Sequence, residues 1–416
     1  MSSILNKTLT RESHPKGNER MHSETDVLIV GGGPAGLAAS IALRQRGLQC
    51  TVVEARSPGI DKACGEGLMP ETLNVLASLG VDLRIKPRHS VQPDDGFAFK
   101  GIRFANSCNT VEADFPSGTG LGLRRPILHG LLADKAQAAG VHLHWHSRVQ
   151  LAPRVGSAAP SATINGQPIR FRWLIGADGH SSSVRRWAGL GAIKTDRVRF
   201  GFRRHYRVAP WSNFVEVHWC ATGQLYITPV AADCVCVVFV TRTATRTAAG
   251  RDMLDAFPEI HHRLQGAPIL SQQRGAVSAT RKLYRVHDEH VALVGDASGS
   301  ADAITGEGLA MSFRHALVLA AALASGSLAG YGPAHARIGR LPLAMGALML
   351  QMDRWPALQG RALRALSANP NLFCEMLSVH VGARSPTRFA FHHGPQLGWN
   401  LLVPKSLVPD QAQKFS

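Results

Sequence analysis

The residues with the clearest chemical purpose are three glycines and a carboxylate. Gly31, Gly33 and Gly36 form a Gly-x-Gly-x-x-Gly array with Gly32, Pro34 and Ala35 between them, and Glu54-Ala55 begins 18 residues after Gly36. Glycines at this spacing allow a sharp turn, a close backbone approach to a pyrophosphate, and tight packing of a helix on a strand. A carboxylate about 20 residues further on can accept from two ribose hydroxyls. The chemistry indicated is binding of an adenine dinucleotide. Two more acid–glycine pairs, Asp178-Gly179 and Gly295-Asp296, stand later in the chain, and Gly306-Glu307-Gly308 follows the second.

The surrounding elements suit that role. Asp26–Val30 is a short apolar, β-branched run, Leu37–Arg46 has helical composition and is stopped by Gly47, and Gln49–Val53 is a second strand ending on Glu54. A strand, glycine turn, helix, strand and acid in this order place the helix N-terminus and its free N–H groups at the phosphates. Arg172–Ala177 reads as a strand running into the Asp178-Gly179 turn and a Ser-capped helix. His290–Val294 reads as a strand ending at Gly295-Asp296, and Gly306-Glu307-Gly308 opens a long apolar helix.

In this order and spacing the three motifs resemble the FAD-dependent monooxygenase superfamily of the aromatic-hydroxylase fold, which geranylgeranyl reductases and flavin halogenases share. The resemblance covers about residues 25 to 330. It implies FAD as cofactor and NAD(P)H as co-substrate. It implies that Asp296 accepts from ribityl or ribose hydroxyls, and that Asp178 and Gly179 lie near the pyrophosphate and also serve the nicotinamide cofactor. Gly306, Glu307 and Gly308 would aim a helix N-terminus at flavin N1 and the C2 carbonyl, a catalytic contribution because reduced flavin is anionic there.

Lys62-Ala-Cys64-Gly65-Glu-Gly-Leu-Met69 resembles the reductase branch's K-x-C-G segment beside the flavin. The alternative for Cys64 is a buried thiol in a glycine loop. Arg125 fits the family's R-x-x-L-H arginine that opens a helix against FAD, with Arg124 as its competitor and a surface arginine as the alternative.

Between the second and third motifs, the stretches 198–208, 213–219, 224–229 and 233–240 read as strands and resemble the sheet that roofs the flavin in this superfamily. Tyr226, His205 and His218 are candidate polar groups in the cavity, with Tyr226 and His205 as candidate catalytic residues. Each histidine could equally be a satisfied strand residue. Tyr226-Ile-Thr-Pro229 stands where the reductases have Y-x-W-x-F-P, and the expected Trp and Phe are absent. The halogenases' W-x-W-x-I-P is missing too. The stretch Arg203–Pro229 is similar to bacterial flavoprotein hydroxylases of phenolic-lipid biosynthesis.

The expected fold is α/β: an FAD-binding Rossmann-like domain, an inserted, mostly antiparallel β-sheet substrate domain and a helical C-terminal part. The expected division is a disordered tail over 1–24, the FAD-binding domain over 25–85, 120–195 and 281–330, the substrate domain over 86–119 and 196–280, and the helical part over 331–416. In that last part, Trp355, Leu358, Ala362, Leu363 and Leu366 share one helical face flanked by Arg361 and Arg364. This reads either as a cap on the substrate domain or as a basic amphipathic helix at a membrane surface.

Composition narrows the rest. With 46 Lys+Arg against 29 Asp+Glu the net charge is +17, which attracts anions. No nucleic-acid motif accompanies the charge, so no nucleic-acid partner is expected. Seven scattered cysteines without a C-x-x-C pair indicate a reducing compartment. Cys234 and Cys236 read as small buried hydrophobes. His142, His144 and His146 alternate along one strand face without a Cys or carboxylate nearby, so an edge strand is expected and no metal site. The uncharged run Ala316–Ala334 breaks into Ser, Gly and Pro and is not expected to span a membrane. The expected location is cytoplasmic, with peripheral association at the inner membrane surface.

The function expected is hydroxylation of a lipophilic phenolic or polyketide-type aromatic, with NAD(P)H reducing FAD and O2 adding to give the flavin C4a-hydroperoxide. The alternative is a geranylgeranyl-reductase-like enzyme saturating isoprenoid double bonds. A third reading is a flavoprotein that only holds a lipid or a partner.

Overall fold

The computed structural model describes residues 23–83, 96–154, 159–195, 198–242 and 252–402. The tail expected over 1–24 lies outside the described residues except for its last two, and Glu24 already begins the first strand, Glu24–Val30.

Five parallel strands form the heart of the first sheet, in the spatial order His142–His144, Cys50–Val53, Glu24–Val30, Gln167–Gly176, Val291–Leu293. The first half of Gln167–Gly176 also pairs antiparallel with Ala162–Ile164, which continues to Val149–Leu151. Residues alternate across a strand. Val27 and Ile29 therefore face the helices Pro34–Arg44, Arg125–Ala138 and Gly308–Ala324. Leu28 faces the opposite cluster with Leu174, Val184 and Leu293. Pro34 starts its helix, where a missing N–H costs nothing. Gly47 follows that helix at a φ of +82°.

A seven-stranded sheet stands over this unit, in the order Arg274–Ser278, Arg199–Arg207, Cys234–Thr241, Gly223–Ala231, Phe214–Trp219, Gly101–Ala105, Thr110–Asp114. It is antiparallel except where Phe214–Trp219 runs parallel to Gly101–Ala105. A small sheet of Gly67–Leu68, Gly120–Gly122 and Phe97–Phe99 joins the two units.

Among the described residues, four helices follow: Tyr331–Arg354, Pro356–Ser367, Pro370–His380 and Pro386–Leu402. The apolar face read from the sequence on the second of them is covered. Leu363 and Leu366 pack with Phe99, Ile102, Phe115 and Phe373, and Ala362 and Leu358 pack with Val217, Trp219 and Met349. Burial of each leucine contributes roughly 1.5–3 kcal/mol. Trp355 departs from the expectation: it is 54% exposed and lies outside that face. Arg361 and Arg364 point outward.

The expected three-histidine strand face also needs correcting. The strand stops at His144, and His146 sits beyond it at a left-handed φ of +53°. Among the described residues, no helix is long and apolar enough to cross a membrane.

Candidate flavin site

The three motifs converge at the C-terminal ends of the parallel strands. Gly31 has a φ of +113°, and a Cβ there would stand 2.5 Å from the Ala177 carbonyl oxygen, so the first motif abuts the second. A Cβ on Gly36 would fall 2.0 Å from the Gly31 oxygen. One on Gly295 would meet Ala35 Cβ at 2.6 Å, which brings the third motif against the same helix start. Gly32, a mere spacer in the sequence pattern, is constrained as well: its Cβ would meet Glu54 and Trp145 within 3 Å.

Other glycines face open space. A Cβ on Gly33, Gly65, Gly179 or Gly308 would meet no heavy atom within 4 Å. Open space at Gly33, Gly65 and Gly308 leaves room for a cofactor's close approach, whereas Gly179, at a φ of +79°, is also required by its backbone. Asp178 Oδ1 and Arg125 Nε are buried without a hydrogen-bond partner. Open glycine backbone and unpartnered polar atoms at the strand ends fit an anionic dinucleotide such as FAD.

The polar residues are held in place by one another. Glu54 accepts from the Gly32 N–H at 2.8 Å and the Arg56 N–H at 3.0 Å, which fixes its carboxylate at the glycine turn. Asp178 Oδ2 accepts from the Ser183 N–H, the Ser183 hydroxyl and the Val184 N–H, at 2.6, 2.8 and 3.2 Å, capping the short helix Ser183–Trp187. Asp296 receives Lys62 Nζ at 3.0 Å, so the Lys62–Cys64 segment and the third motif meet directly. The charge of Arg125 acts on Asp296 and His129, whereas that of Arg124 acts on Cys234.

Sequence reasoning missed His129 and His180. His129 is fully buried, donates from Nε2 to the Gly32 carbonyl at 2.9 Å and accepts from the Gly59 N–H at Nδ1. Burial depresses its pKa, which keeps it neutral in this tautomer. His180 stands near Asp296, and burial followed by the charge of Arg281 lowers its pKa. Both were visible only as letters inside larger motifs, because their partners are remote in sequence.

The candidate catalytic residues of the roof sheet differ from expectation. His205 is fully buried, with Nε2 2.6 Å from Glu66 Oε2 and Nδ1 2.7 Å from Ser271 Oγ. Neither ring nitrogen is left for a substrate, so the structure gives His205 a positioning role. Glu66 also accepts from Arg203 Nη1 at 2.8 Å and from the Arg125 N–H at 2.9 Å. Burial opposes the Glu66 charge, but His205 and Arg203 together hold its pKa below the usual carboxylate range. Glu66 thus ties the roof sheet to the Cys64–Gly65 loop and to the helix start at Arg125.

Tyr226 is likewise engaged. Its hydroxyl lies 3.1 Å from the Ile304 carbonyl and 3.2 Å from Gln224 Oε1. Arg199, Asp302, Gln224 and Asp353 form the buried polar network beside it. Tyr226 therefore holds the turn that leads into Gly306. His218 Nε2 lies 2.8 Å from Glu216 Oε2.

Cys64 is half-buried, its Sγ accepts from the Glu66 N–H, and its carbonyl accepts from the Cys236 thiol. Burial pushes the Cys234 thiol up to about 11 and Cys236 well above the ordinary thiol value. Gly306 adopts a φ of +70°, Glu307 occupies the N-cap position of the helix Gly308–Ala324 without a side-chain capping hydrogen bond, and Met69 Cε lies 3.8 Å from where a Gly306 Cβ would be.

Comparison with known proteins agrees with this geometry. The model of a family described as "FAD binding domain" matches residues 24–333. A 3-(3-hydroxy-phenyl)propionate/3-hydroxycinnamic acid hydroxylase of Mycobacterium sp. (strain JLS) is 30% identical over 176 residues, covering 41% of this chain and 31% of its own. The chain thus spans less than two thirds of that relative's length. A digeranylgeranylglycerophospholipid reductase of Thermoplasma volcanium is 26% identical over 312 residues, covering 68% of this chain and 74% of its own. Among solved structures, a flavoprotein/dehydrogenase from Cytophaga hutchinsonii superposes with a TM-score of 0.75 at 19% identity, over 91% of this chain and 98% of that one. At that identity the likeness establishes the fold.

Proposed function

Because the chain belongs to the FAD binding domain family, we propose that it is an FAD-dependent monooxygenase that uses NAD(P)H and O2 to hydroxylate a lipophilic aromatic of phenolic type. FAD, when bound, supplies the hydride-accepting and oxygen-transferring chemistry. The protein's own residues bind and orient it. Gly33 and the helix start at Pro34 would hold the pyrophosphate, Glu54 and Asp296 would accept from hydroxyls, and the helix N-terminus at Gly308 would stabilise negative charge on the ring.

The observation that carries the substrate class is the packing around Ile304, just ahead of the flavin-facing turn. Ile304 is buried with Val217, Trp219, Met349 and Met352, and Tyr226 packs against this group. The charged residues beside it, Arg199, Asp302 and Asp353, are engaged with one another. This closed core is apolar, aromatic and methionine-rich and leaves no uncompensated charge beside the turn, which suits a hydrocarbon-bearing substrate better than a charged acid. Each buried CH2 contributes about 0.8 kcal/mol, so an alkyl tail would dominate binding. Arg361 and Arg364, exposed on the C-terminal helix, would add electrostatic attraction to the anionic membrane in which such a substrate resides.

The Thermoplasma reductase, matched over more of this chain than the hydroxylase, favours a second reading: hydride transfer to an isoprenoid alkene. Anaerobically reduced protein separates the two. A monooxygenase yields a hydroxylated phenolic lipid only when O2 is admitted. A reductase re-oxidises its flavin against an isoprenoid without O2, and that result would overturn the first reading.

A further inference from the structure

Glu307 lies between the two glycines of the flavin-facing turn, yet its side chain is turned into the protein. It is 3% exposed, and its Oε2 is buried without a hydrogen-bond partner. Three elements face it. His380, at the end of the helix Pro370–His380, brings Nδ1 to 3.9 Å from Oε2. Glu71, on the helix Pro70–Ser78, acts on it with a like charge, and Arg314, on the flavin-facing helix itself, acts with the opposite charge. Both Glu71 oxygens are buried and unpartnered too. A carboxylate so placed lacks the hydrogen bonds and the ion pair that stabilise a buried anion.

We propose that the Glu307 carboxyl is a redox-linked proton site: it is uncharged while the flavin is reduced, and ionises in alkali only while the flavin is oxidised. This rests on the flavin lying at Gly306–Gly308, as argued above. The helix N-terminus there stabilises negative charge, and an anionic Glu307 would compete with the reduced ring for it. Reduction of the ionised form by two electrons then draws one proton from solvent onto Glu307, in addition to protons taken up by the isoalloxazine. The electrons come from the external reductant.

The environment agrees in sign. Burial, then the Glu71 charge, pushes Glu307 up to about 8 despite Arg314. Burial holds His380 down at about 4, with a contribution from Arg314, so it is neutral above that range and forms no ion pair with Glu307.

The test is the flavin midpoint potential of the FAD-loaded protein, followed against pH from 6 to 10 during dithionite titration. Wild type should show a steepening above about pH 8 that reports one extra proton per two electrons. Glu307→Gln should lose that bend and keep those of the isoalloxazine itself. Glu71→Gln, which removes a like charge, should move the bend to lower pH; this variant keeps the proposal testable if Glu307→Gln does not load flavin. Infrared difference spectra between oxidised and reduced protein above pH 8 should show a protonated carboxyl appearing in wild type and not in Glu307→Gln. A bend that survives Glu307→Gln, or no bend in wild type, overturns the proposal while leaving the flavin reading intact. A chain that cannot be loaded with FAD overturns both.

Discussion

His205 Nε2 and Glu66 Oε2 lie 2.6 Å apart, and neither side chain is exposed. The pair joins the roof-sheet strand Arg199–Arg207 to the loop that carries Cys64 and Gly65. Removing one partner leaves the other buried with fewer hydrogen bonds, a loss on the order of 2–4 kcal/mol. His205→Leu should therefore lower unfolding stability by about that amount and weaken FAD binding. If His205 only positions Glu66, the pH dependence of turnover in His205→Gln keeps its wild-type limbs. Loss of one limb would restore His205 as an acid–base catalyst.

The glycines divide into two classes that substitution should separate. Gly36→Ala places a methyl 2.0 Å from the Gly31 oxygen, and should destabilise even the flavin-free protein by more than about 2 kcal/mol. Gly33→Ala meets no protein atom within 4 Å. Its apoprotein should unfold within about 0.5 kcal/mol of wild type, while FAD affinity falls at least tenfold. Thermal melts with and without FAD check both halves.

The Lys62–Asp296 contact at 3.0 Å links the cofactor loop to the third motif. Asp296→Ala should purify with little or no flavin, whereas Lys62→Met should retain a weakened site. Flavin content measured by absorbance decides; an Asp296→Ala protein as yellow as wild type would remove Asp296 from the site.

His335 is stacked on His315 with ring centroids 3.8 Å apart, and donates from Nε2 to Ser298 Oγ beside the third motif. Burial lowers His335 to about 4, and burial with the His335 charge lowers His315 well below the ordinary histidine value. Between about pH 6.5 and 4 the unfolded chain binds protons that the folded one refuses. The His335 contribution to stability should therefore fall as pH is lowered across that window and level off below it. For His335 alone the loss approaches about 3 kcal/mol. His335→Gln should flatten the denaturant-midpoint profile between pH 4 and 6.5; an unchanged profile would contradict the account.

The apolar face of the helix Pro356–Ser367 is already packed on the roof sheet, so any attraction to vesicles would be electrostatic. Binding to anionic liposomes at low salt should disappear at several hundred millimolar salt and weaken in the Arg361→Glu, Arg364→Glu double variant. Turnover should rise with the alkyl-chain length of a phenolic substrate. Equal rates on short, water-soluble phenols would exclude the lipophilic-substrate reading.

The glycine turn, Glu54 and the two acid–glycine motifs were legible in the sequence because each is local. A tight turn, a helix start or a strand end depends on residues a few positions apart, and each residue type reports its own backbone requirement. The alternating roof strands were legible for the same reason. The roles of His205, Tyr226 and Trp355 were not. Whether a polar side chain faces a cavity or a partner depends on residues such as Glu66, Ile304 and Gln224, which only the packing of one sheet on another brings together. His129 and Glu307 were hidden inside motifs for the same reason: their burial and partners come from remote segments. The sequence by itself determined the dinucleotide site, through local geometry. The tertiary structure decided which of the surrounding polar groups are free to act, because burial and hydrogen bonding are properties of the packed chain.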